Sequence, residues 1–332
     1  MSTVMPFLRR NALALFVLAY ASSAAVLHFD RFADIFPMYI RQLVALSTLI
    51  GCIAVISVVI RYRRTGEKAT NLLAQAIMTF FWPALFMCLG LAAFTTFKLA
   101  IPEVVPFRFD PLLADLDAML HGAQPGLVLH GLMPEALEWP LSYAYGPVWA
   151  IIWVGGFFAV AFSGDSALRQ RYWWTCALSF FVLGTVLATA LSSVGPVYYE
   201  AVYGDPRFSE LMAAVHASGP GEKVKGFNDY LWTAYATGEN SFGTGISAMP
   251  SIHVAVVTLQ TLAAVSVSRI LGMLAGCYAL FILFGSVYLG WHYALDGYVS
   301  ALFVCGTWYA VNAIQARRKA PAVAMAPGGL AA

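Results

Sequence analysis

Residues 247–253 read SAMPSIH and residues 290–296 read GWHYALD. The residues between them are mostly apolar, and His253 and His292 lie 39 positions apart. One membrane crossing needs about 20 apolar residues, so this separation corresponds to two crossings. The pattern predicts a helical hairpin that leaves one membrane face at His253 and returns to the same face at His292.

The composition of the whole chain extends this prediction. Of 332 residues, 60% are hydrophobic and 11% are charged, whereas soluble domains carry about 25% charged residues. We therefore expect an all-α fold, a polytopic membrane helix bundle of about eight transmembrane helices with interfacial loops on its outer face. The predicted spans are 11–27, 42–60, 73–97, 147–163, 173–193, 253–268, 270–290 and 293–315.

These spans predict a domain order and an orientation. We expect an N-terminal two-span extension at 1–72, a membrane domain of six spans at 73–316 and a cytoplasmic tail at 317–332. Positive charge collects in cytoplasmic loops. With both termini in the cytoplasm, most of the 19 Lys and Arg residues fall on that side, namely Arg9, Arg10, Arg61, Arg63, Arg64, Lys68, Arg169, Arg171, Arg269, Arg317, Arg318 and Lys319. The two histidine segments then face the periplasm of a bacterial inner membrane, or the lumen of a eukaryotic organelle.

The first apolar stretch permits a second interpretation. Arg9 and Arg10 precede it and the small residues of 21–25 follow it, as in a cleavable signal peptide. Cleavage would leave seven spans and the same loops on the outer face. We favour a retained span, because the stretch is long enough to cross a membrane.

Several classes of site have no signal in the sequence. The five cysteines fall inside predicted spans, so we expect no disulfide framework and no zinc site. No glycine-rich phosphate loop precedes a lysine, and no basic stripe suggests a nucleic-acid partner. We expect no metal and no cofactor, and the sequence does not indicate an oligomeric state.

Two outer segments, 101–145 and 194–251, interrupt the apolar pattern. In the first, residues 110–122 have apolar residues at helical spacing and predict a short interfacial helix. We expect its acids, Asp110, Asp115 and Asp117, on the solvated side. The second segment is rich in Tyr and Trp, which prefer the depth of lipid headgroups. Together the segments predict a lipid-handling cap over the outer helix ends.

The histidine segments also indicate a chemistry. His253 follows Ser251, a good helix N-cap, and Asp296 lies four residues after His292, on the same face of a helix. A carboxylate that holds one imidazole nitrogen leaves the other free as a nucleophile, and a second imidazole can act as general acid. If the substrate is a phosphate ester, backbone N–H groups at the two helix N-termini are candidates to stabilise its phosphoryl charge.

The alternative is that both histidines are interfacial residues without catalytic roles. Their joint spacing favours catalysis. His28, His121, His130 and His216 lack such partners, and we expect interface or loop roles for them.

At these two segments the chain resembles the membrane phosphatidic acid phosphatase type 2 superfamily, and within it the branch of inositol phosphorylceramide synthases. Residues 110–122 and the GPVYY segment at 195–199 resemble further features of that branch, so the resemblance covers roughly 100–310. It implies a six-helix catalytic core, which makes the membrane domain at 73–316 the catalytic domain, and a covalent phosphohistidine. In that scheme His292 is the nucleophile, Asp296 orients it and His253 protonates the leaving group.

The chain departs from the wider superfamily at its phosphate-binding motifs. The Lys-x6-Arg-Pro motif is missing, and the residues before the last histidine, GSVYLGW at 285–291, lack the Ser-Arg pair. The substrate-binding candidates are therefore drawn from other polar residues of the outer face. They are Ser251, Arg108, Lys225, Tyr198 and Tyr288, with Lys98 and Lys223 as further cations.

The same departure favours transfer over hydrolysis. We expect an integral membrane phosphotransferase that moves a headgroup phosphoryl, such as inositolphosphoryl, from a phospholipid donor to ceramide or to another lipid or polyol acceptor. The alternative is a lipid phosphate or polyprenyl phosphate phosphatase with the same triad. A lipid transporter is a third possibility from a different class, but charges deep in the spans, broken helices and repeats are not evident in the sequence.

Overall fold

The computed structural model describes residues 4–319, and within them it contains helices and no strands. The helices are α1 (Val4–Leu27), α2 (Phe29–Ala45), α3 (Ser47–Thr65), α4 (Ala69–Val104), α5 (Asp110–His121), α6 (Pro125–Leu132), α7 (Glu138–Tyr143), α8 (Trp149–Phe162), α9 (Ser166–Leu178), α10 (Ala188–Ala190), α11 (Pro196–Tyr203), α12 (Ser209–Ala217), α13 (Gly221–Thr237), α14 (Ile252–Val267), α15 (Arg269–Tyr288) and α16 (Ala294–Lys319). π-Helical stretches at Ala144–Val148 and Ser179–Leu187 join α7 to α8 and α9 to α10.

The predicted all-α membrane bundle is confirmed, with fewer full-length spans than expected. Among the described residues, five helices are long and apolar enough to cross a membrane, or six if the bent pair α2 and α3 forms one span. The five are Thr70–Val104, Glu135–Phe162, Ser166–Ala190, Arg269–Tyr288 and Ala294–Arg317. The remaining two predicted spans correspond to shorter apolar helices, Asn11–Leu27 and Ile252–Val267.

The predicted second span, 42–60, has the wrong boundaries. Residues 29–45 form a helix rather than a loop, and α3 follows it after a bend of 55°. Leu46 lies at the break, while Pro37 is accommodated inside α2. Helix α2 is strongly amphipathic, so its one apolar side can pack against α4 although it is not a continuous apolar run.

The core of the fold is the packing of α14 between α15 and α16. The helices approach closely at Gly297 of α16, where a Cβ atom would overlap the Leu283 side chain. Helix α14 has 16 residues, which is about 24 Å, against a hydrocarbon thickness of about 30 Å. The start of α14 and the start of α16 lie side by side, since the Ser251 N–H donates to the Asp296 carbonyl. We call this end of the bundle the histidine end.

The short helices α5 to α7 and α11 to α13 cover the histidine end. An apolar cluster that includes Leu113, Leu211, Tyr288 and Tyr293 joins this cover to α15 and to the start of α16. A separate cluster around Phe158, which includes residues of α9, α14 and α16, fills the opposite half of the bundle. The predicted division at residues 72 and 73 stays a prediction, and most of the predicted tail at 317–332 lies outside the described residues.

Candidate functional site

His292 and Asp296 form a buried pair at the start of α16. The His292 Nδ1 atom lies 3.1 Å from Asp296 Oδ2, and the same oxygen accepts a hydrogen bond from the Tyr293 N–H at 3.1 Å. Asp296 is fully buried and His292 is 8% exposed. Because a carboxylate oxygen only accepts, Nδ1 carries the proton and Nε2 carries the free lone pair.

The sequence predicted this pairing through a shared helix face, and the structure forms it differently. His292 precedes α16, which begins at Ala294, and Asp296 lies in the first turn of that helix. The backbone N–H groups of Trp291 and His292 both donate to the Ser286 carbonyl at 3.1 Å. The imidazole is thus held in a tight turn at the end of α15, and the carboxylate reaches back to it.

His253 lies beside this pair at the start of α14. Ser251 is the N-cap of α14, and its side chain accepts from the Val254 N–H at 3.5 Å. The Ser251 N–H in turn donates to the Asp296 backbone carbonyl at 3.3 Å, which joins the starts of α14 and α16. His253 is close enough to His292 and to Lys98 for their charges to act on its imidazole.

Two aromatic rings that the sequence analysis did not single out hold His253. Its ring stacks on Tyr145, with centroids 4.4 Å apart, and packs against Trp149 at 4.2 Å. The Trp149 indole N–H also donates to the His253 carbonyl at 3.2 Å. Tyr145 and Trp149 are four residues apart, across the π-helical stretch that contains Pro147. Their spacing is visible in the sequence, but nothing local indicates which residue they contact.

Helix α5 confirms the predicted short helix, but the prediction that its acids are all solvated is wrong. Asp110 and Asp117 are buried, whereas Asp115 is exposed. The exposed side of the helix is instead apolar, with Leu112, Leu116, Met119 and Leu120. In a membrane protein an apolar face can point to lipid, so the polar face can be the one that packs inward. Asp110 and Asp117 are seven residues apart and therefore share that inward face.

Asp117 and Asp110 contact the segment that carries the His292–Asp296 pair. Asp117 accepts hydrogen bonds from the N–H groups of Ala294 and Leu295, each at 3.1 Å. Asp110 accepts a hydrogen bond from the Tyr293 hydroxyl at 3.0 Å. Burial raises the pKa of the Asp110 and Asp117 carboxyls, although the hydrogen bonds that they accept act in the opposite direction. The expectation that the N-terminus of α16 offers free N–H groups to a phosphate is therefore wrong, because carboxylates already occupy them.

Asp110 also fixes a glycine loop against the site. It accepts from the Val194 N–H at 2.9 and 3.0 Å, from the Gly195 N–H at 2.7 Å and from the Tyr203 hydroxyl at 3.0 Å. Gly195 has a φ of +78°, and a Cβ atom there would lie 2.5 Å from the Trp291 carbonyl oxygen. Only glycine fits this left-handed position next to the turn that holds His292.

The predicted substrate-binding tyrosines are engaged in the fold. The Tyr198 hydroxyl donates to the Asn228 carbonyl at 2.8 Å, and its ring stacks on Trp232. The Tyr288 hydroxyl donates to Glu138 at 2.8 Å, and its ring stacks on His130. Both tyrosines therefore support the covering helices, and the structure does not bring either hydroxyl to the His292–Asp296 pair.

The candidate cations occupy different environments. Arg108 is exposed and lies over the Phe109 ring, and Lys225 is exposed on α13 at 3.9 Å from Asp229. Lys223 contacts the Ser142 hydroxyl at 3.3 Å. Lys98, in contrast, is half-buried near the end of α4 and is the one of these cations whose charge reaches His253. Its aliphatic stem packs on the loop that precedes α14, where Gly245 approaches it closely.

The other histidines lie apart from this site. His121 contacts the Asp117 carbonyl at 2.7 Å and the Tyr298 hydroxyl at 2.9 Å. His130 donates from Nε2 to the Tyr288 carbonyl at 2.9 Å, and burial lowers its pKa. Among residues 4–319, no group of three or more His, Cys, Asp or Glu side chains is arranged to hold a metal ion.

The fold and the site together define an integral membrane helix bundle with a recessed histidine–carboxylate pair and a second histidine beside it. A family model described as the PAP2 superfamily matches residues 111–310. Because this match covers more than half of the 332 residues, the chain belongs to the PAP2 superfamily. Membership in this superfamily supports a role as an enzyme that acts on lipid phosphate esters, either as a phosphatase or as a phosphotransferase. No curated protein and no solved structure matches the chain.

Proposed function

We propose that this protein is a phospholipid headgroup phosphotransferase that acts through a phosphohistidine at His292. The proposed reaction transfers an inositolphosphoryl group from phosphatidylinositol to ceramide or a related lipid acceptor, as its motifs suggest by their resemblance to the inositol phosphorylceramide synthase branch. The observation that carries the proposal is the buried hydrogen bond between His292 and Asp296. It leaves Nε2 of His292 as an unprotonated nucleophile next to a second imidazole.

In the first step, His292 Nε2 attacks the phosphorus atom of the donor. A nitrogen–phosphorus bond forms, the bond from phosphorus to the diacylglycerol oxygen breaks, and His253 gives its proton to that oxygen. The imidazole of His292 becomes positively charged as the bond forms. Asp296, in direct contact with Nδ1, stabilises this charge.

In the second step, an acceptor hydroxyl replaces diacylglycerol. His253, now neutral, takes the hydroxyl proton, the acceptor oxygen attacks phosphorus, and the nitrogen–phosphorus bond breaks. This restores the starting protonation of both histidines, so the cycle consumes no other reactant. The stacking of His253 between Tyr145 and Trp149 would keep its ring in one orientation through both steps.

We assign the phosphate-binding charge to Lys98. It is half-buried, its stem packs against Gly245 in the loop before α14, and its charge acts on His253. It also lines a cavity of about 230 Å³, which is separate from His253 and His292. Arg108 and Lys225 are exposed, where solvent screens their charge. A lysine in a recessed site is a suitable point charge for phosphoryl oxygens.

Two observations favour transfer over hydrolysis. The His292–Asp296 pair is almost fully enclosed, and exclusion of water protects a reactive intermediate from hydrolysis. The Lys-x6-Arg-Pro and Ser-Arg motifs of the wider superfamily are also missing from the sequence. A lipid acceptor could instead approach from the bilayer, beside the apolar face of α5.

The proposed location is a bacterial inner membrane, with both termini in the cytoplasm and the histidine end facing the periplasm. The clustering of Lys and Arg in the loops at the opposite end supports this orientation. A test is the labelling of single cysteines, placed at exposed sites in a cysteine-free variant, by a membrane-impermeant maleimide. Labelling of Asp115→Cys from outside intact cells and protection of Arg269→Cys would agree with the proposal, and the reverse would contradict it.

The function is tested with purified protein in vesicles that contain inositol-labelled phosphatidylinositol, with and without ceramide. Wild type should move the label to ceramide. Without acceptor, the label should remain on the protein in an acid-labile and base-stable form, as expected for a nitrogen–phosphorus bond. His292→Ala should lose both signals, whereas His216→Ala, a change at an exposed histidine in α12, should keep them.

The alternative outcomes are informative. Release of inositol phosphate with no labelled ceramide would favour the phosphatase alternative and contradict the transferase. Equal turnover by wild type and His292→Ala would reject the triad itself. Labelling of the protein with neither labelled ceramide nor released inositol phosphate would keep the phosphohistidine and reject ceramide as the acceptor.

A further inference from the structure

A large cavity lies at the end of the bundle opposite to the histidine end. Its volume is about 1330 Å³, and residues of α1, α3, α4, α8, α9, α14 and α15 line it. Along α4 the lining extends from Leu72 to Leu91, which is about 28 Å at 1.5 Å per residue. The cavity is therefore long enough to follow a lipid chain from one membrane surface into the bilayer.

The cavity is separate from the proposed catalytic site. Lys98 lies near one end of α4, and Leu72 near the other. In the same way, His253 lies in the first turn of α14, whereas Val267, the last residue of that helix, lines the cavity. Trp153 lines the cavity, and the ring of Trp149, which does not line it, contacts both Trp153 at 5.1 Å and His253 at 4.2 Å.

Among the described residues, the charged side chains that line the cavity are three arginines. Arg61 and Arg64 come from the last turns of α3, and Arg169 from the first turn of α9. No Asp or Glu is among the described residues that line the cavity. Arg61 bonds Gln75, and Arg169 donates to the Ser163 carbonyl, and each guanidinium has further N–H donors for a ligand.

The deeper walls are apolar. They consist mainly of aliphatic and aromatic side chains, such as Met87, Leu91, Phe157 and Phe180. An apolar channel that opens between three arginines matches a molecule with an anionic head and a hydrocarbon chain. Arginine is the residue that best matches the geometry of phosphate oxygens.

We infer that this cavity binds an anionic phospholipid from the membrane leaflet opposite to the histidine end. The phosphate would lie among Arg61, Arg64 and Arg169, and one acyl chain would extend along α4 toward Trp153. The inference goes beyond the proposed phosphotransferase. It does not depend on it, because the cavity shares no residue with the His292–Asp296 pair or with His253.

The test is a competition between lipids for the full-length protein. Purified protein receives equal amounts of phosphatidylglycerol and phosphatidylcholine with the same chains, and native mass spectrometry counts the lipids that remain bound. Wild type should retain one phosphatidylglycerol in preference to phosphatidylcholine. Each arginine near a membrane surface contributes about fivefold to the binding of an anionic lipid, so Arg61→Gln/Arg64→Gln should lower this preference by about 25-fold.

Two further variants separate a built site from general attraction. Arg269→Gln removes an exposed cation at the same end of the bundle that does not line the cavity, and it should leave the preference unchanged. Gly90→Leu adds a side chain where a Cβ atom would meet nothing closer than 4.0 Å, so it should narrow the cavity along α4 and lower the number of lipids retained.

The inference fails if wild type retains the two lipids equally, since the cavity would then hold bulk lipid without selection. It also fails if Arg61→Gln/Arg64→Gln behaves like Arg269→Gln. If a variant does not yield monodisperse protein, the competition on wild type decides alone. Transferase activity is not a readout of this experiment, so failure of the proposed function would not affect its result.

Discussion

The substitution Asp296→Asn tests the charge of the buried carboxylate with little change in shape. Asp296 Oδ2 accepts from both His292 Nδ1 and the Tyr293 N–H, whereas Oδ1 is buried with no hydrogen-bond partner among the described residues. An asparagine can therefore place its carbonyl oxygen at the Oδ2 position and keep both hydrogen bonds. Its NH₂ group would be left unpaired, which costs about 1–3 kcal/mol of stability.

The expected loss of activity follows from the charge that is removed. Two unit charges at the 3.1 Å separation of Nδ1 and Oδ2 attract each other by about 5 kcal/mol at an effective dielectric constant of about 20. This is an upper limit for the stabilisation of the positive imidazole that forms when His292 bonds phosphorus. It corresponds to a decrease in kcat of about 10³ to 10⁴-fold. KM should change much less, because the charge on His292 develops after binding.

The assay is the initial rate of label transfer in vesicles, over a range of donor concentrations. Asp115→Asn serves as the control, because it removes an exposed carboxylate that pairs with Arg207 at the surface. The double variant His292→Ala/Asp296→Asn should be no slower than His292→Ala, since Asp296 acts through His292. A well-folded Asp296→Asn with turnover within tenfold of wild type would refute the reasoning.

Three further predictions concern the supports of the site. Gly195→Ala should abolish most transferase activity, because its left-handed φ and the nearby Trp291 carbonyl oxygen both exclude a Cβ atom. Gly204→Ala is the control: Gly204 has a similar φ, but a Cβ atom there would meet no neighbour. This variant should lose only about 1–2 kcal/mol of stability and keep its turnover. Asp117→Ala should lower the unfolding free energy by about 2–4 kcal/mol, because the N–H groups of Ala294 and Leu295 lose their acceptor. Chemical unfolding in detergent measures this change. The control, Asp115→Ala, should stay within about 0.5 kcal/mol of wild type. Burial lowers the pKa of His130, so the unfolded chain binds a proton at this residue more readily than the folded protein. The contribution of His130 to stability should therefore be present at neutral pH and decrease as the pH falls through about 6.5. Parallel Tm–pH curves for wild type and His130→Phe would contradict this.

The sequence was sufficient to predict most of the helices of the bundle and their order. Apolar runs of about 20 residues appear as helices of the expected place and order, because a bilayer requires every backbone group to bond within its own helix. The separation of 39 positions placed His253 and His292 at the same end of the bundle. The N-cap at Ser251 was also predicted correctly, because a cap depends on neighbours within three residues.

The site was predicted less completely, since its partners come from distant parts of the chain. Tyr145 stacks on His253 across 108 positions, and Asp117 caps α16 across 177 positions. The amphipathic pattern of residues 110–121 identifies the two faces of α5, but it does not say which face points inward, because lipid and protein core are both apolar. For this reason Asp110 and Asp117 were placed in solvent, and their contacts with Tyr293 and Ala294 were missed.

From the order of residues alone follow the helical membrane architecture, the location of both histidines at one end of the bundle, and the candidate triad of His253, His292 and Asp296. These properties depend on hydrophobicity and on spacing along one chain direction, which the order of residues contains directly. Only the tertiary structure decided which polar groups remain available: the N–H groups at the start of α16 are occupied, Tyr198 and Tyr288 are engaged elsewhere, and Lys98 is the cation near His253. Whether a polar group is free to bind a substrate depends on which other groups pack against it. The packing of helices brings these groups together from distant parts of the chain, and the neighbours in sequence do not indicate them.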